Sequence, residues 1–265
     1  MGCVAGSFRS GSIARRFGKV APDGQAACGA RSEHGKHLLN ITPQVRDVVL
    51  FDLDGTVLDT HDAILDSMRY ATQQVLGTII PDEVLVAEVG QPLVTQMRTL
   101  APDEETAQEL LVTYRSSNER GLDQKTAPFA GIEELICTLK NEGFTVAVVT
   151  SKREALASNS LRAFGLYDLF ALVNGMESSK GHKPDPDPLI QAAVDLEVPL
   201  ERCLYIGDSP YDIQAAHAAH VPCVGVTWGG FFSREVLQAE APQMIVDTMT
   251  ELHDAIIALS QGASA

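Results

Sequence analysis

The chain has 265 residues and 45% of them are hydrophobic, which is enough to bury a large core and excludes a chain that is disordered throughout. Its formal net charge is −15, with no run of lysine or arginine, so DNA and RNA are poor partners. The five cysteines are odd in number and never spaced as CxxC, which argues against a disulfide framework and a zinc site and favours a reducing cytoplasm.

The first segment, residues 1–45, differs in composition from the rest of the chain. It is rich in Gly, Ala, Ser and Arg, has no acidic residue before Asp23, and shows no periodicity, so we predict a disordered N-terminal extension. A transit peptide and an extended start are both compatible with this composition. No apolar run in the chain approaches the roughly 20 residues of a membrane helix, so we expect no membrane partner.

From Asp47 onward, short β-branched runs alternate with segments of helical periodicity. The predicted strands are 47–53, 144–150, 169–173, 202–206, 223–227 and 244–246. This alternation predicts an α/β fold, a Rossmann-like parallel sheet flanked by helices, built from residues 46–60 and 127–260. In such a sheet, ligands bind beyond the carboxyl ends of the strands.

The interval between the first two strands is too long for a simple crossover. Apolar residues recur there at helical spacing, and Gly77 and Gly121 follow two such stripes; Pro81 and Pro92 each stand where a helix could begin. We therefore predict an inserted α-helical cap domain at residues 61–126, lying over the strand ends.

Two carboxylates, Asp52 and Asp54, end the first predicted strand in the sequence VVLFDLDGT. Buried like charges raise each other's pKa, so such a pair requires an offsetting group, and a divalent cation would serve. Gly55 would permit the turn that follows, and Thr56 could hydrogen-bond back to fix it.

Three later segments add complementary groups at the same edge. Thr150 and Ser151 follow the second strand and precede a predicted helix, whose N-terminus is a ready anion site. Lys183 lies in HKPDPDP and supplies a cation, while Asp208 and Asp212 follow a strand one helical turn apart and could face one metal ion.

In this order, the motifs resemble those of the haloacid dehalogenase-like hydrolase superfamily, in its helical-cap subfamily. DLDGT looks like its first motif, the run ending in Thr150 its second, Lys183 its third, and GDSPYD its fourth. The resemblance covers about residues 46–255. It implies a Mg²⁺-dependent phosphatase in which Asp52 becomes an aspartyl-phosphate and Asp54 is the general acid and base.

The resemblance also implies the remaining roles at the site. Magnesium would be held by the Asp52 side chain, the Asp54 main-chain carbonyl and Asp208. Asp212 would act indirectly, through water or a hydrogen bond to Lys183. The phosphoryl oxygens would be held by Thr150, the Ser151 amide and Lys183.

The acid at position 54 argues against dehalogenation, since dehalogenating members lack it. The segments GQPL and PFAGIEELI look most like phosphoglycolate phosphatases and related bacterial phosphatases and pyrophosphatases, which implies a small phosphorylated metabolite as substrate and a monomer or homodimer. Gln91, Arg98 and Lys125 are candidates for substrate contact, and Trp228 is expected to pack. A phosphomutase similar to β-phosphoglucomutase and a phosphate-binding regulatory module remain alternatives.

Overall fold

The computed structural model describes residues 46–261, without the side chains of residues 119–124. The disorder predicted for residues 1–45 lies outside the described residues.

The six predicted strands all form, and they join in one parallel sheet. They are β1 (Val48–Phe51), β4 (Thr145–Val149), β5 (Leu172–Asn174), β6 (Cys203–Gly207), β7 (Cys223–Val226) and β8 (Met244–Val246). The sheet order is β5-β4-β1-β6-β7-β8, so β1 is central, with β4 and β6 as neighbours. The predicted fold class is therefore confirmed. β1 ends two residues earlier than predicted, at Phe51, because the chain turns away once it passes the sheet edge.

Both faces of the sheet are covered by helices, so its strands are apolar without alternation. Val49 and Phe51 face one cluster and Val48 and Leu50 the other, all four at 0% exposure. The first cluster is covered by α5 (Ile132–Asn141), α6 (Glu154–Ala163) and α10 (Met249–Ser260). The second is covered by α7 (Asp187–Asp195), α8 (Pro210–Ala218) and α9 (Arg234–Ala239).

The segment between β1 and β4 forms helices that pack around an apolar cluster of their own. They are α1 (His61–Leu76), α2 (Asp82–Leu85), α3 (Leu93–Leu100) and α4 (Glu104–Lys125), and we call them the cap helices. α1 ends at Gly77 in the left-handed conformation, and Pro81 and Pro92 immediately precede α2 and α3. α4 continues past Gly121. The assignment of residues 61–126 as a separate domain stays a proposal.

A short ladder that the sequence did not predict joins the two ends of the cap helices. β2 (Leu58–Asp59) and β3 (Ala127–Pro128) pair antiparallel, with Leu58 opposite Pro128. The chain therefore enters and leaves the cap helices side by side. Within residues 46–261, no helix combines the length and apolar character needed to cross a membrane.

Candidate active site

The ends of the three central strands meet at one cavity, as a parallel sheet requires. Asp52 follows β1, Thr150 and Ser151 follow β4, and Asp208 follows β6; all four line the cavity. Asp54 lines it as well, although it reaches the cavity from the turn after β1 and not from an extended strand.

Lys183 is the centre of a buried ionic network below this cavity. Its Nζ donates to Asp52 Oδ1 and to Asp212 Oδ1, each at 2.7 Å, and the residue is 2% exposed. Burial alone would lower the pKa of Lys183, but the two carboxylates together outweigh it and raise the pKa. The ammonium therefore stays charged and holds both carboxylates in place.

Asp212 has its hydrogen-bonding capacity filled by neighbours. Oδ1 accepts from Lys183 and, at 2.9 Å, from the Tyr205 hydroxyl. Oδ2 accepts from the Ser209 amide at 3.1 Å and the Ser209 hydroxyl at 2.6 Å. A carboxylate offers about four lone-pair positions, so Asp212 has little left for another ligand.

Among the described residues, buried Asp208 accepts one weak hydrogen bond, from the Thr56 hydroxyl at 3.3 Å. Burial, with the Asp212 and Asp52 carboxylates nearby, raises its pKa well above the usual range. Two glycines make the room for it, since a Cβ on Gly55 or on Gly229 would lie 2.1 Å from Asp208 Oδ2. This close cradle is one that only glycine allows.

Burial likewise raises the pKa of Asp52 to about 7; the Asp212 and Asp54 carboxylates add to this, and Lys183 opposes it. Asp52, Asp208 and Asp212 each offer an oxygen, and these oxygens lie within 4.8 Å of one another. Two oxygens on one Mg²⁺ lie at most about 4.2 Å apart, so a small closure suffices. These ligands are all oxygens, and three carboxylates lie beside one ammonium, Lys183, so the group carries excess negative charge. Such a group fits a hard divalent cation.

Asp54 forms an ion pair that sequence reasoning missed. Lys152 Nζ donates to Asp54 Oδ1 at 2.8 Å, and both side chains are largely buried at the cavity wall. Lys152 directly follows the Thr150-Ser151 pair, so its place after a strand end was the available signal.

The turn after β1 has the glycine that was predicted but a different role for the threonine. Gly55 has φ +84°, a conformation that side-chain-bearing residues rarely adopt. The Thr56 hydroxyl contacts Asp208 across the site, where a bond back to its own turn was expected. The turn is instead closed by main-chain bonds such as Val57 N to Leu53 O at 2.9 Å.

The second motif lies between the sheet and the cap helices. Thr150 Oγ1 accepts from the Lys152 amide at 3.2 Å, and the Ser151 hydroxyl donates to Gly90 O at 2.7 Å. α6, the helix predicted to follow them, begins at Glu154. Ser151 thus connects this strand end to the segment between α2 and α3, residues 86–92, which we call the cap loop.

The cap loop is held to the core a second time by α8. The Tyr211 hydroxyl lies 3.1 Å from Ala87 O and 3.0 Å from Glu88 Oε2. Gly90 packs against Ser209, and Gln91 lines the cavity. Of the three substrate-contact candidates, Gln91 is therefore well placed.

The other two candidates lie in surface ion pairs and do not line the cavity. Arg98 Nε donates to Glu104 at 2.8 Å, and Lys125 pairs with Asp66. Trp228 packs, as expected, with its Nε1 donating to Thr56 O at 3.1 Å.

The cap helices complete the cavity wall with residues that the sequence did not single out. Arg115 and Asn118 come from α4, and Gln96 from α3. Gln96 Nε2 donates to Gln91 O at 2.8 Å, while the buried Gln96 Oε1 has no partner among the described residues. The cavity volume is about 110 Å³, room for about four water molecules at roughly 30 Å³ each.

Comparison with known proteins agrees with this geometry. Residues 49–226 match the family model described as haloacid dehalogenase-like hydrolase. A Caldanaerobacter subterraneus subsp. tengcongensis protein named "Putative pyrophosphatase PpaX" is 39% identical over 204 residues, 77% of this chain and 91% of that protein. A Neisseria meningitidis phosphoglycolate phosphatase is 33% identical over 215 residues, 78% of this chain and 92% of that protein.

A solved structure described as "a predicted phosphatase" from Clostridium acetobutylicum superposes with a TM-score of 0.73 at 32% identity, covering 81% of this chain and 99% of that one. The matched family model spans both the acid pair after β1 and the acids after β6. The chain therefore belongs to the haloacid dehalogenase-like hydrolases, and the prediction that it is an enzyme of this family is confirmed.

Proposed function

We propose that the protein is a Mg²⁺-dependent phosphatase that hydrolyses a small phosphomonoester through an aspartyl-phosphate. Phosphoglycolate, the compound in the name of several relatives, is a phosphomonoester of this kind. One observation carries the proposal. The buried Asp52 side chain lines the cavity, its Oδ1 lies 2.7 Å from Lys183 Nζ, and the Asp208 carboxylate, which has no neutralising cation, lies beside it. A nucleophile, a cation and a metal ligand meet there.

Asp52, Asp208 and the Asp54 main-chain carbonyl would hold magnesium. When bound, the ion neutralises charge, so that a carboxylate can approach an anionic phosphoryl group. Asp212 is better suited to positioning, because all its lone-pair positions are already used by Lys183, Tyr205 and Ser209. This agrees with the indirect role implied by the sequence.

In the first step, a carboxylate oxygen of Asp52 attacks phosphorus, forming a P–O bond to Asp52 while the bond to the leaving oxygen breaks. Asp54 gives that oxygen its proton. In the second step, water attacks the phosphorus and Asp54 takes the proton of that water. The P–O bond to Asp52 breaks, which releases inorganic phosphate and restores both carboxyl groups.

Three groups would hold the transferred phosphoryl oxygens: the Thr150 hydroxyl, the Ser151 amide and Lys183. An ammonium has three protons, and Lys183 uses two of them on Asp52 and Asp212. The third proton is available for a phosphoryl oxygen, where a preorganised donor stabilises charge developed in the transition state.

Pyrophosphate hydrolysis is the second candidate, favoured by the 39% identity to a protein named as a pyrophosphatase. Pyrophosphate and phosphoglycolate are similar in size, so size alone does not separate the two substrates. Both reactions use the same nucleophile and differ in the leaving group. The cytoplasmic location stays a prediction from the cysteine pattern.

The direct test is phosphate release from p-nitrophenyl phosphate, phosphoglycolate and pyrophosphate with Mg²⁺, with and without EDTA. Steady release that EDTA stops and added Mg²⁺ restores supports the proposal. Release that requires a sugar bisphosphate activator would indicate a phosphomutase. Binding of phosphate without any turnover would indicate a phosphate-binding regulatory module.

A further inference from the structure

The cationic side chains of the cap helices are paired with acids, with one exception among those that the structure describes. Arg69 pairs with Asp66 and Asp82, Arg98 with Glu104, and Lys125 with Asp66. The exception is Arg115 in α4, which has no ionic partner among the described residues.

Arg115 is also the cap cation that lines the active-site cavity, where it is partly buried. Asn118 is one helical turn further along α4 and lines the same wall, while Tyr114 gives the wall an apolar part. A guanidinium stays protonated in proteins, and burying part of its charge without an anion beside it costs free energy. Its position therefore favours an anion supplied by a ligand.

The acids at the opposite, core wall of the cavity are engaged elsewhere. Asp52 is bonded to Lys183 and Asp54 to Lys152, and Asp208 is a proposed metal ligand. A phosphoryl group bound near these residues would extend its leaving group toward the cap wall, where Arg115 would face it.

We propose that Arg115 selects substrates whose leaving group is itself anionic, such as a carboxylate or a second phosphate. This inference rests on the proposed phosphatase function and adds its substrate class. A planar guanidinium matches the two oxygens of either anion through paired hydrogen bonds, which a lysine ammonium cannot reproduce. The carboxylate and the phosphate share this chemistry, and the experiment separates them.

The experiment measures kcat/KM with Mg²⁺ for phosphoglycolate, pyrophosphate and ethyl phosphate, whose leaving groups are glycolate (an alcohol that carries a carboxylate), phosphate and neutral ethanol. The parent enzyme should prefer at least one of the two anionic leaving groups to the neutral one by about tenfold to a hundredfold. Which of the two is preferred identifies the source of the anion. Arg115→Met should bring the ratio of kcat/KM for the anionic leaving group to kcat/KM for ethyl phosphate close to one. Arg115→Lys should keep part of that ratio.

Arg98→Met is the matched control, because it removes the same charge from the cap helices at a site that does not line the cavity. It should leave the preference unchanged. Binding gives a readout without turnover: in an Asp52→Asn background, Arg115→Met should weaken phosphoglycolate or pyrophosphate affinity by a similar factor, measured by calorimetry.

An equal preference for ethyl phosphate in the parent enzyme would overturn the inference. So would a preference that survives Arg115→Met but is lost in Arg153→Met, because Arg153 lies at the core wall of the cavity and would then be the anion reader. Failure of every substrate to release phosphate would instead refute the proposed phosphatase function.

Discussion

The two walls of the cavity differ in the pairing of the side chains proposed to react and of the side chain proposed to select the substrate. On the core wall, Asp52 accepts from Lys183 at 2.7 Å and Asp54 accepts from Lys152 at 2.8 Å. On the cap wall, Arg115 has no ionic partner among the described residues and Gln96 Oε1 has no hydrogen-bond partner there. Groups that are paired in advance need no reorganisation during reaction, whereas unpaired groups gain most when a ligand arrives. We therefore assign the proposed chemistry to the core wall and the proposed choice of substrate to the cap wall.

The largest effect should follow from removing the nucleophile on the core wall. Asp52→Asn changes little volume but removes the attacking charge, so kcat for p-nitrophenyl phosphate should fall by at least about 10⁴-fold. Circular dichroism and a thermal melt should show that the fold persists. Substantial activity in this variant would mean that the buried network does not perform the chemistry.

The general acid and base should come next in size. Asp54→Asn should lower kcat by about 10²–10⁴-fold, because neither the leaving oxygen nor the attacking water would have a proton partner. Lys152→Met sharpens the point, since Lys152 touches Asp54 at 2.8 Å and not Asp52. It should lower kcat by less than Asp54→Asn does, whereas an unchanged kcat would exclude Lys152 from positioning Asp54.

Metal dependence can be read from stability instead of turnover. Burial raises the pKa of Asp208, so ionising it in the metal-free fold costs free energy, and in EDTA at neutral pH Asp208→Asn should raise the melting temperature by several degrees. With Mg²⁺ the order should reverse, because the ion stabilises only the parent carboxylate. A thermal melt of both proteins in both buffers measures this. The same order in both buffers would count against Asp208 as a ligand.

The smallest effect concerns the contact between the walls. Tyr211→Phe removes the hydroxyl that lies at hydrogen-bonding distance from Ala87 and Glu88 in the cap loop, and it should raise KM by about two- to tenfold. Tyr70→Phe, at a 43% exposed position on α1, is the matched control. Equal KM values for the two variants would show that the cap loop is not held by Tyr211.

The core wall could be anticipated from the sequence because parallel topology brings strand ends together: Asp52, Thr150 and Asp208 needed only the correct strands. The cap wall could not. Arg115 stands next to the apolar stripe of α4, where an arginine reads as a solvated side chain, and only the packing of the cap helices shows that it lines the cavity. The short pairing of β2 with β3 escaped as well, since two residues carry no periodicity.

The saturation of Asp212 was equally out of reach. It depends on Tyr205, which reads as an ordinary strand residue, and on Ser209, whose hydroxyl and amide both turn to Asp212. Sequence spacing placed Asp208 and Asp212 on one side, and the resemblance to the hydrolase family implied different roles for them, but neither showed why one carboxylate is open and the other filled. That difference is set by burial and by the hydrogen-bond partners.

Because β2 and β3 lie side by side, the excursion through residues 60–126 interrupts the sheet no more than a hairpin turn would. We therefore expect that a change of length or composition within this segment would alter the cap wall while the strand ends that carry Asp52, Thr150 and Asp208 kept their positions.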